Sequence, residues 1–423
     1  MKHRLLRPDL LIKFIANTAL VLMSTCGLHV FALEARGHIK LQNLYTAYPD
    51  NSYYASLYGN NSNDIHTDIR LNLEKNFNNW DLNLDYQLLG VHSKAFTAEQ
   101  NPFFSDSQFV NDNTRLFNLT DTISENDNTV FVQRLDRFNV GYTGEKTVVR
   151  VGRQALSWGN GLIFSVMDIV NPFDPTIFDK EYKAGDDMFY LQYLQDSGND
   201  LQVAWVVRRD AISGEIEENR HTMAVKYHGF IGQSEIDVLV AEHYSDQLIG
   251  LGGSRALGGA VVHSDISLTK TEDKTYINAL AGISYSWVWY EHNFSGVLEF
   301  SHNNWGMNND FRFSDLQTRP QFLDRIQRGE TSLLGRNYFA TAITMEATPL
   351  ILCSANLFSN IEDNSTLLQL TTSFDWKENL QLFGAVSLPL GSDGTEFGGL
   401  AISENAAYLS NEWQLLAKAA YYF

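Results

Sequence analysis

Cysteine is nearly absent from this chain of 423 residues, which holds only Cys26 and Cys353. Cys26 falls in an N-terminal leader, so the rest of the chain can form no intrachain disulfide and no cysteine-based metal centre. Long apolar runs are missing as well. Past the leader nothing approaches the roughly 20 consecutive apolar residues that a membrane-crossing helix needs, which excludes a helical membrane protein. Positive charge is scarce: 31 Lys and Arg stand against 50 Asp and Glu, a net charge of −19. Such a chain repels nucleic acid, and that class of partner is set aside.

What is present begins with "MKHRLLRPDLLIKFIANTALVLMSTCGLHVFALEA". Lys2, Arg4, Arg7 and Lys13 precede a short apolar stretch, and Val30-Phe31-Ala32 supplies a small-residue cleavage pattern. This is the layout of a secretory signal peptide over residues 1–32, cut after Ala32 or a few residues later. Its loss would take the basic count from 31 to 27 and the acidic count from 50 to 49, leaving a net charge of −22. Residues 33–423 show no linker or composition shift and read as a single domain.

From Gly37 onward the recurring unit is a run of about ten residues alternating apolar with polar, the period of a strand with two different environments. In "DIHTDIRLNLEK" Ile65, Ile69, Leu71 and Leu73 oppose His66, Asp68, Arg70, Asn72 and Glu74. In "NEWQLLAKAAYYF" Trp413, Leu415, Ala417, Ala419, Tyr421 and Phe423 share one face. Charges on one face and apolar residues on the other suit a closed barrel with a wet lumen and a lipid-facing exterior; a soluble barrel would reverse the two. The C-terminal Phe423, with Tyr421 two before it, looks like the assembly signal of Gram-negative outer-membrane barrels.

Such runs number about eighteen, from residues 37–48 to residues 411–423, and "DQLIGLGGS" at 246–254 is the weakest. Every second connection is short, while 93–129, 155–185, 303–334 and 389–410 are long and all fall at the other end. That is the asymmetry of bacterial barrels, which keep short turns in the periplasm and long loops outside. The fold predicted is all-β: a transmembrane antiparallel up-and-down barrel of sixteen to eighteen strands. Trp287, Trp289, Trp376 and Trp413 fall near strand ends, where aromatic girdles belong.

The connection 155–185 carries "GLIFSVMDIV", too apolar to hang in water, so it is expected to fold inward and narrow the pore. Around it stand Gly152-Arg153-Gln154, Ser157-Trp158-Gly159 and Asn171-Pro172. This run resembles the "GRQ...SWG...NP" pattern of several Gram-negative outer-membrane barrel families, which are similar in their GRQ strand to alginate-export channels. The resemblance covers about forty residues and implies an outer-membrane barrel rather than a particular substrate.

Face analysis places Arg137, Arg150, Arg208, Arg220 and Lys226 along one wall. A two-residue turn at Gly144-Glu145 would set Arg150 opposite Asn139. The connection beside them carries Asp168, Asp174, Asp179, Glu181, Asp186 and Asp187, so facing rows of opposite charge would line a constriction, or the same pairs would anchor the loop to the wall. His66 with Asp68, His243, and Ser301 with His302 lack the spacing of a triad or metal site, and the Asp/Asn-rich loops lack the ligand pattern of a calcium loop. No enzyme, metal or cofactor is expected. The expected partners are outer-membrane lipid and lipopolysaccharide, the barrel-assembly machinery and small solutes. The function read from the sequence is a channel for small hydrophilic, charged solutes. The alternatives are export of an acidic polysaccharide and a non-conducting barrel that binds ligands through its loops.

Overall fold

The computed structural model describes residues 34–94, 111–309, 311–402 and 407–423. The leader expected over residues 1–32 and the segment 95–110 lie outside the described residues. The strands in chain order are β1 (Glu34–Ala47), β2 (Asn61–Phe77), β3 (Trp80–His92), β4 (Thr120–Asn126), β5 (Thr129–Thr143), β6 (Thr147–Gln154) and β7 (Asp186–Leu194). They continue with β8 (Asp200–Val206), β9 (Thr222–Ile231), β10 (Ser234–His243), β11 (Asp246–Leu257), β12 (Ala260–Lys270), β13 (Thr275–Trp289) and β14 (His292–Asn303). The last are β15 (Asn337–Thr348), β16 (Ile351–Asn360), β17 (Ser365–Lys377), β18 (Leu380–Leu390), β19 (Leu400–Ala401), β20 (Tyr408–Leu409) and β21 (Trp413–Tyr422).

Each barrel strand pairs antiparallel with its neighbours, and β1 pairs with β21, from His38 opposite Tyr422 to Ala47 opposite Trp413. The sheet thereby closes on itself as an eighteen-stranded barrel. β4 is an extra strand against the outer half of β5, and β19 with β20 forms a separate ribbon. Closure leaves no open edge among the eighteen barrel strands, the condition for crossing a bilayer with strands. No helix among the described residues is long and apolar enough to cross one.

The alternation read from the sequence sorts the side chains. Ile65, Ile69, Val240, Ile249, Leu415 and Tyr421 are exposed outward, whereas His38, Arg70, Asp265 and Glu299 are almost wholly enclosed. An apolar exterior around a charged interior is stable only when the exterior meets lipid. Turns 78–79, 232–233, 258–259, 290–291, 349–350 and 378–379 hold two residues each, and the long connections 155–185, 304–336 and 391–412 leave from the opposite rim. At 258–259 and 290–291 both central residues have positive φ, the geometry that matches strand twist. Gly258-Gly259 reaches it without strain, whereas Tyr290-Glu291 does so with side chains in place. Trp287 stacks on Phe294 at 5.5 Å and Trp289 lies 5.0 Å from Tyr290 near this rim, while Tyr45 meets Trp413 at 5.2 Å near the other.

One local reading needs correction, and one feature beside it is new. The β5–β6 hairpin turns over residues 144–147, closed by Gly144 N–H donating to the Thr147 carbonyl, so Arg150 lies opposite Gly141 and Gly152 opposite Asn139. The register is displaced by two residues from the one a two-residue turn would give, and the faces are preserved. On the other side of β5, Asp136 is an added residue between Leu135 opposite Tyr86 and Arg137 opposite Asp85. This bulge turns the Asp136 carboxylate inward beside its neighbours.

The hydrophobic core lies inside the barrel. Trp158, Met167, Ile169 and Val170 of the inserted loop pack on Met188, Ala204, Val206, Ala224, Leu239 and Leu248 of β7–β11. Gly250 and Gly252 of β11 make the space: a Cβ on Gly252 would lie 2.1 Å from Asp265 Oδ1 and 2.7 Å from Asn160 Nδ2. The glycines that made this strand the weakest in the sequence are where the loop presses on the wall.

Candidate functional site: the lumen and its inserted loop

The loop 155–185 starts from a bend. Gly152 has φ +117°, and a Cβ there would meet the Phe138 carbonyl oxygen at 2.2 Å, so only glycine fits. Arg153 next to it is buried, pairing with Asp112 at 2.9 Å and Asp187 at 2.9 Å and donating to the Phe117 carbonyl. Gln154 reaches back toward the carbonyls of Arg150, Gly152 and Met188. Trp158 donates its indole N–H to Gln202 at 2.7 Å, Gly159 has φ +100°, and Asn171, at φ +50°, donates to the Ala184 carbonyl. Pro172 follows within the same loop. The motif residues Gly152, Arg153, Gln154, Trp158, Gly159 and Asn171 thus aim the loop and tie it down.

From there the loop makes a circuit of the inner wall. Asn160 binds Asp265 and Asp237; the backbone N–H groups of Leu162, Ile163 and Phe164 donate to Glu299 at 2.6, 3.1 and 2.9 Å. Phe164 packs with Tyr338, Ala340 and Phe358. Thr176 gives its carbonyl to Gln369 on β17 at 2.7 Å. Asp179 accepts from Lys418 on β21 at 2.9 Å and from Lys40 on β1 at 3.2 Å. Glu181 accepts from Lys40 and from the Tyr422 hydroxyl. The Tyr182 ring lies 4.1 Å from the Arg70 guanidinium. Lys183 closes the circuit on Asp168, with the Leu156 carbonyl and Ser157 as further acceptors.

The predicted cations and acids do not face each other as rows. Arg137 pairs with Asp136 and also donates to the carbonyl of the loop's Lys183, while Arg150 pairs with Asp81 at 3.3 Å, Arg208 with Asp186 at 2.8 Å and Lys226 with Asp237 at 2.9 Å. Arg220 is displaced from the expected site. It sits in a short 3-10 turn outside β9, bound by Glu217 and Asp210, because the strand begins at Thr222. Asp168 pairs within the loop, and Asp174 caps a turn through Thr176. The partners of Asp179 and Glu181 were missed: Lys40 and Lys418 stand at inward positions of the first and last strands, a signal present in the alternation of both. Tyr421 and Phe423 face outward, and the Phe423 ring lies over Gly37.

Burial drives the Asp168 carboxyl up to about 6 even with the Lys183 ammonium beside it. Burial acts on Asp179 in the same sense, but Lys418 and Lys40 outweigh it and hold this carboxyl at about 2. In the outer loop 391–412, burial raises Glu396 to about 7; it accepts from Leu334 N–H, Asn360 and the Tyr338 hydroxyl.

Among the described residues, two cavities flank the β2–β3 wall. The outer one, of about 610 Å³, is framed by β1–β3, β17, β18, β21 and loop residues 176–179. The inner one, of about 380 Å³, takes Glu74, Asp81, Asn83, Asp85, Arg137 and Arg150. On β2 the outer cavity uses His66 and Asp68 and the inner one Glu74 and Asn76; Arg70 and the loop's acidic latch lie between. Over β11–β14 the outer mouth is capped: Trp305 stacks on Tyr276 at 3.4 Å, and Arg325 of the helix Pro320–Gln327 covers Trp305 at 3.8 Å and pairs with Asp246. His243 binds Thr222 and Glu330, and His302 binds Asn337, which gives both rings structural partners. No group of three or more His, Cys, Asp or Glu among the described residues could hold a metal ion.

No protein-family model matches this chain, and no curated protein does. Solved structures match over nearly its whole length. Wzi of Escherichia coli, an outer-membrane protein involved in group 1 capsule assembly and described as a carbohydrate-binding barrel, is 10% identical with a TM-score of 0.51, covering 99% of this chain and 89% of its own. OccAB1 of Acinetobacter baumannii is 9% identical with a TM-score of 0.50, covering 95% of this chain and 99% of its own. At such identities the likeness is one of fold, and the fold is that of the β-barrels of Gram-negative outer membranes.

Proposed function

We propose that this protein is an outer-membrane channel for small hydrophilic solutes, with its path running along the β2–β3 wall, beside β1, β17, β18 and β21 in the outer half of the lumen and beside β5 and β6 in the inner half. The observation that carries the reading is a pair of cavities that share the β2–β3 wall, the outer one reaching to β1, β17, β18 and β21 and the inner one to β5 and β6, with the latch of Lys40, Lys418, Asp179, Glu181 and Tyr182 between them. Eighteen strands without such a loop would enclose an open aqueous channel. Here the loop turns that width into a narrow route with a charged neck, where a solute is sorted by size and by its hydrogen bonds. An acidic polysaccharide would meet Glu74, Asp81 and Asp85 at the inner mouth, which disfavours the export reading.

Single-channel recording in a planar bilayer tests the proposal. The full chain is expected to conduct weakly, and deletion of residues 163–178 to raise conductance and reduce solute discrimination. Unchanged conductance after the deletion would place the loop outside the path. The second reading, a closed barrel that binds a solute in its outer cavity, is favoured by the fully paired latch; silence in both forms would select it.

A further inference from the structure

The outer cavity has an unusual division of labour among its polar groups. Its charged residues are already engaged: Lys40 with Asp179 and Glu181, Asp68 with His38 and Gln87, and Glu396 with Tyr338 and Asn360. The groups left to meet a solute are neutral amides and a ring. Gln42 and Asn411 are engaged by no other side chain among the described residues. Gln414 has one 3.3 Å bond from its amide nitrogen to Thr46, which leaves its carbonyl oxygen to accept. His66 adds a ring to the wall. Between them lie apolar surfaces from Leu44, Phe178, Pro389, Phe397 and Leu416.

We infer that this cavity binds uncharged polyhydroxylated solutes, oligosaccharides in chemical class, before they reach the neck. An amide can accept from one hydroxyl and donate to the next, and the carbon-bound faces of sugar rings suit the intervening apolar patches. A volume of about 610 Å³ falls within the range of small-molecule sites, about 300–1,000 Å³, and leaves room for more than one ring. A charged solute gains less here: it must break an existing ion pair to find a counter-charge, leaving the displaced partner buried without one. A sugar hydroxyl meets neutral groups and disturbs none of these pairs. The inference deepens the channel reading by naming the solute, and the site would exist equally in a closed barrel.

Isothermal titration of the detergent-refolded full chain with maltotriose, raffinose and trigalacturonate tests this, and needs no conductance. At least one neutral trisaccharide is expected to bind tenfold or more tightly than trigalacturonate. Gln42→Ala and Gln414→Ala should each weaken that binding by roughly tenfold, the worth of a lost hydrogen bond. Heat-modifiable gel migration reports whether each variant is folded, and Gln42→Glu or Gln414→Glu, of matching shape, replaces the alanine variant at its own position where that one is not. No binding of either neutral sugar, equal or tighter binding of the acidic one, or wild-type affinity in folded variants at both glutamines would overturn the inference. Saccharide binding without conductance would retain it and remove the channel reading alone.

Discussion

The two sides of the lumen are built from the same kind of strand and filled in opposite ways. Against β7–β11 the wall presents Ala204, Ala224, Gly250 and Gly252, and the loop's Trp158, Met167 and Val170 press into the room those small residues leave. Against β1–β3 and β21 the inward positions carry Gln42, His66, Gln414 and Lys418, and the loop touches them only at its acidic latch. Small inward residues invite a loop to dock and exclude water; long polar ones hold it off and keep water in. The difference shows how one barrel can be a hydrophobic core on one side and a conduit on the other, with no change in backbone architecture.

That contrast can be broken most forcefully at Arg153. Replacing it with Met leaves Asp187 buried without its cation and Asp112 with Arg115 alone, and a loss of roughly 3–5 kcal/mol is expected in urea unfolding of the refolded protein. A change below about 1 kcal/mol would mean that the loop does not depend on this anchor. A finer probe adds one carbon to each side. Gly252→Ala pushes into Asp265, Asn160 and Met167 and should destabilise by about 1–3 kcal/mol, whereas Asn411→Gln, half-buried at the cavity, should stay within about 0.5 kcal/mol. Equal effects would mean that the two sides are packed alike.

The smallest expected effect is one of pH, and it separates the loop's two carboxylates. Asp168, held up at about 6, binds its proton more tightly in the folded chain than the ordinary value near 3.8 allows. Its contribution therefore shifts in favour of the folded state as pH falls from above 6 toward 4. Asp179, held at about 2, keeps its charge over that window; its stabilisation is present above 3.8 and lost only as pH falls toward 2. Between pH 7 and 5 a change in stability or conductance should thus disappear in Asp168→Asn and persist in Asp179→Asn. The reverse assignment would invert the roles given to the two ends of the loop.

The eighteen strands were legible because period-two alternation is imposed separately on each, by lipid outside and water inside. Parity of loop lengths then checked the count. Pairing was less legible. The β5–β6 register depended on whether Gly144-Glu145 closed the turn alone, and the spacing of Arg137 from its neighbours depended on a bulge at Asp136 that adds a residue without a composition signal. Arg220 was placed on a strand because a basic residue two positions before Thr222 fits the alternation as well as a turn does. Lys40 and Lys418, nearly four hundred positions apart in sequence, become neighbours only when the first strand meets the last. Their inward direction could be read, but their shared partner could not.

That shared partner has a consequence for the order of assembly. Asp179 takes one ammonium from β1 and the other from β21, the two strands whose pairing is the seam of the barrel. Its double contact exists only once that seam has formed, so the loop can rest on the β7–β11 wall early but gains its last anchor at closure. The latch acts as a clasp across the join, and strain that opens the join must also part Asp179 from one of its two lysines.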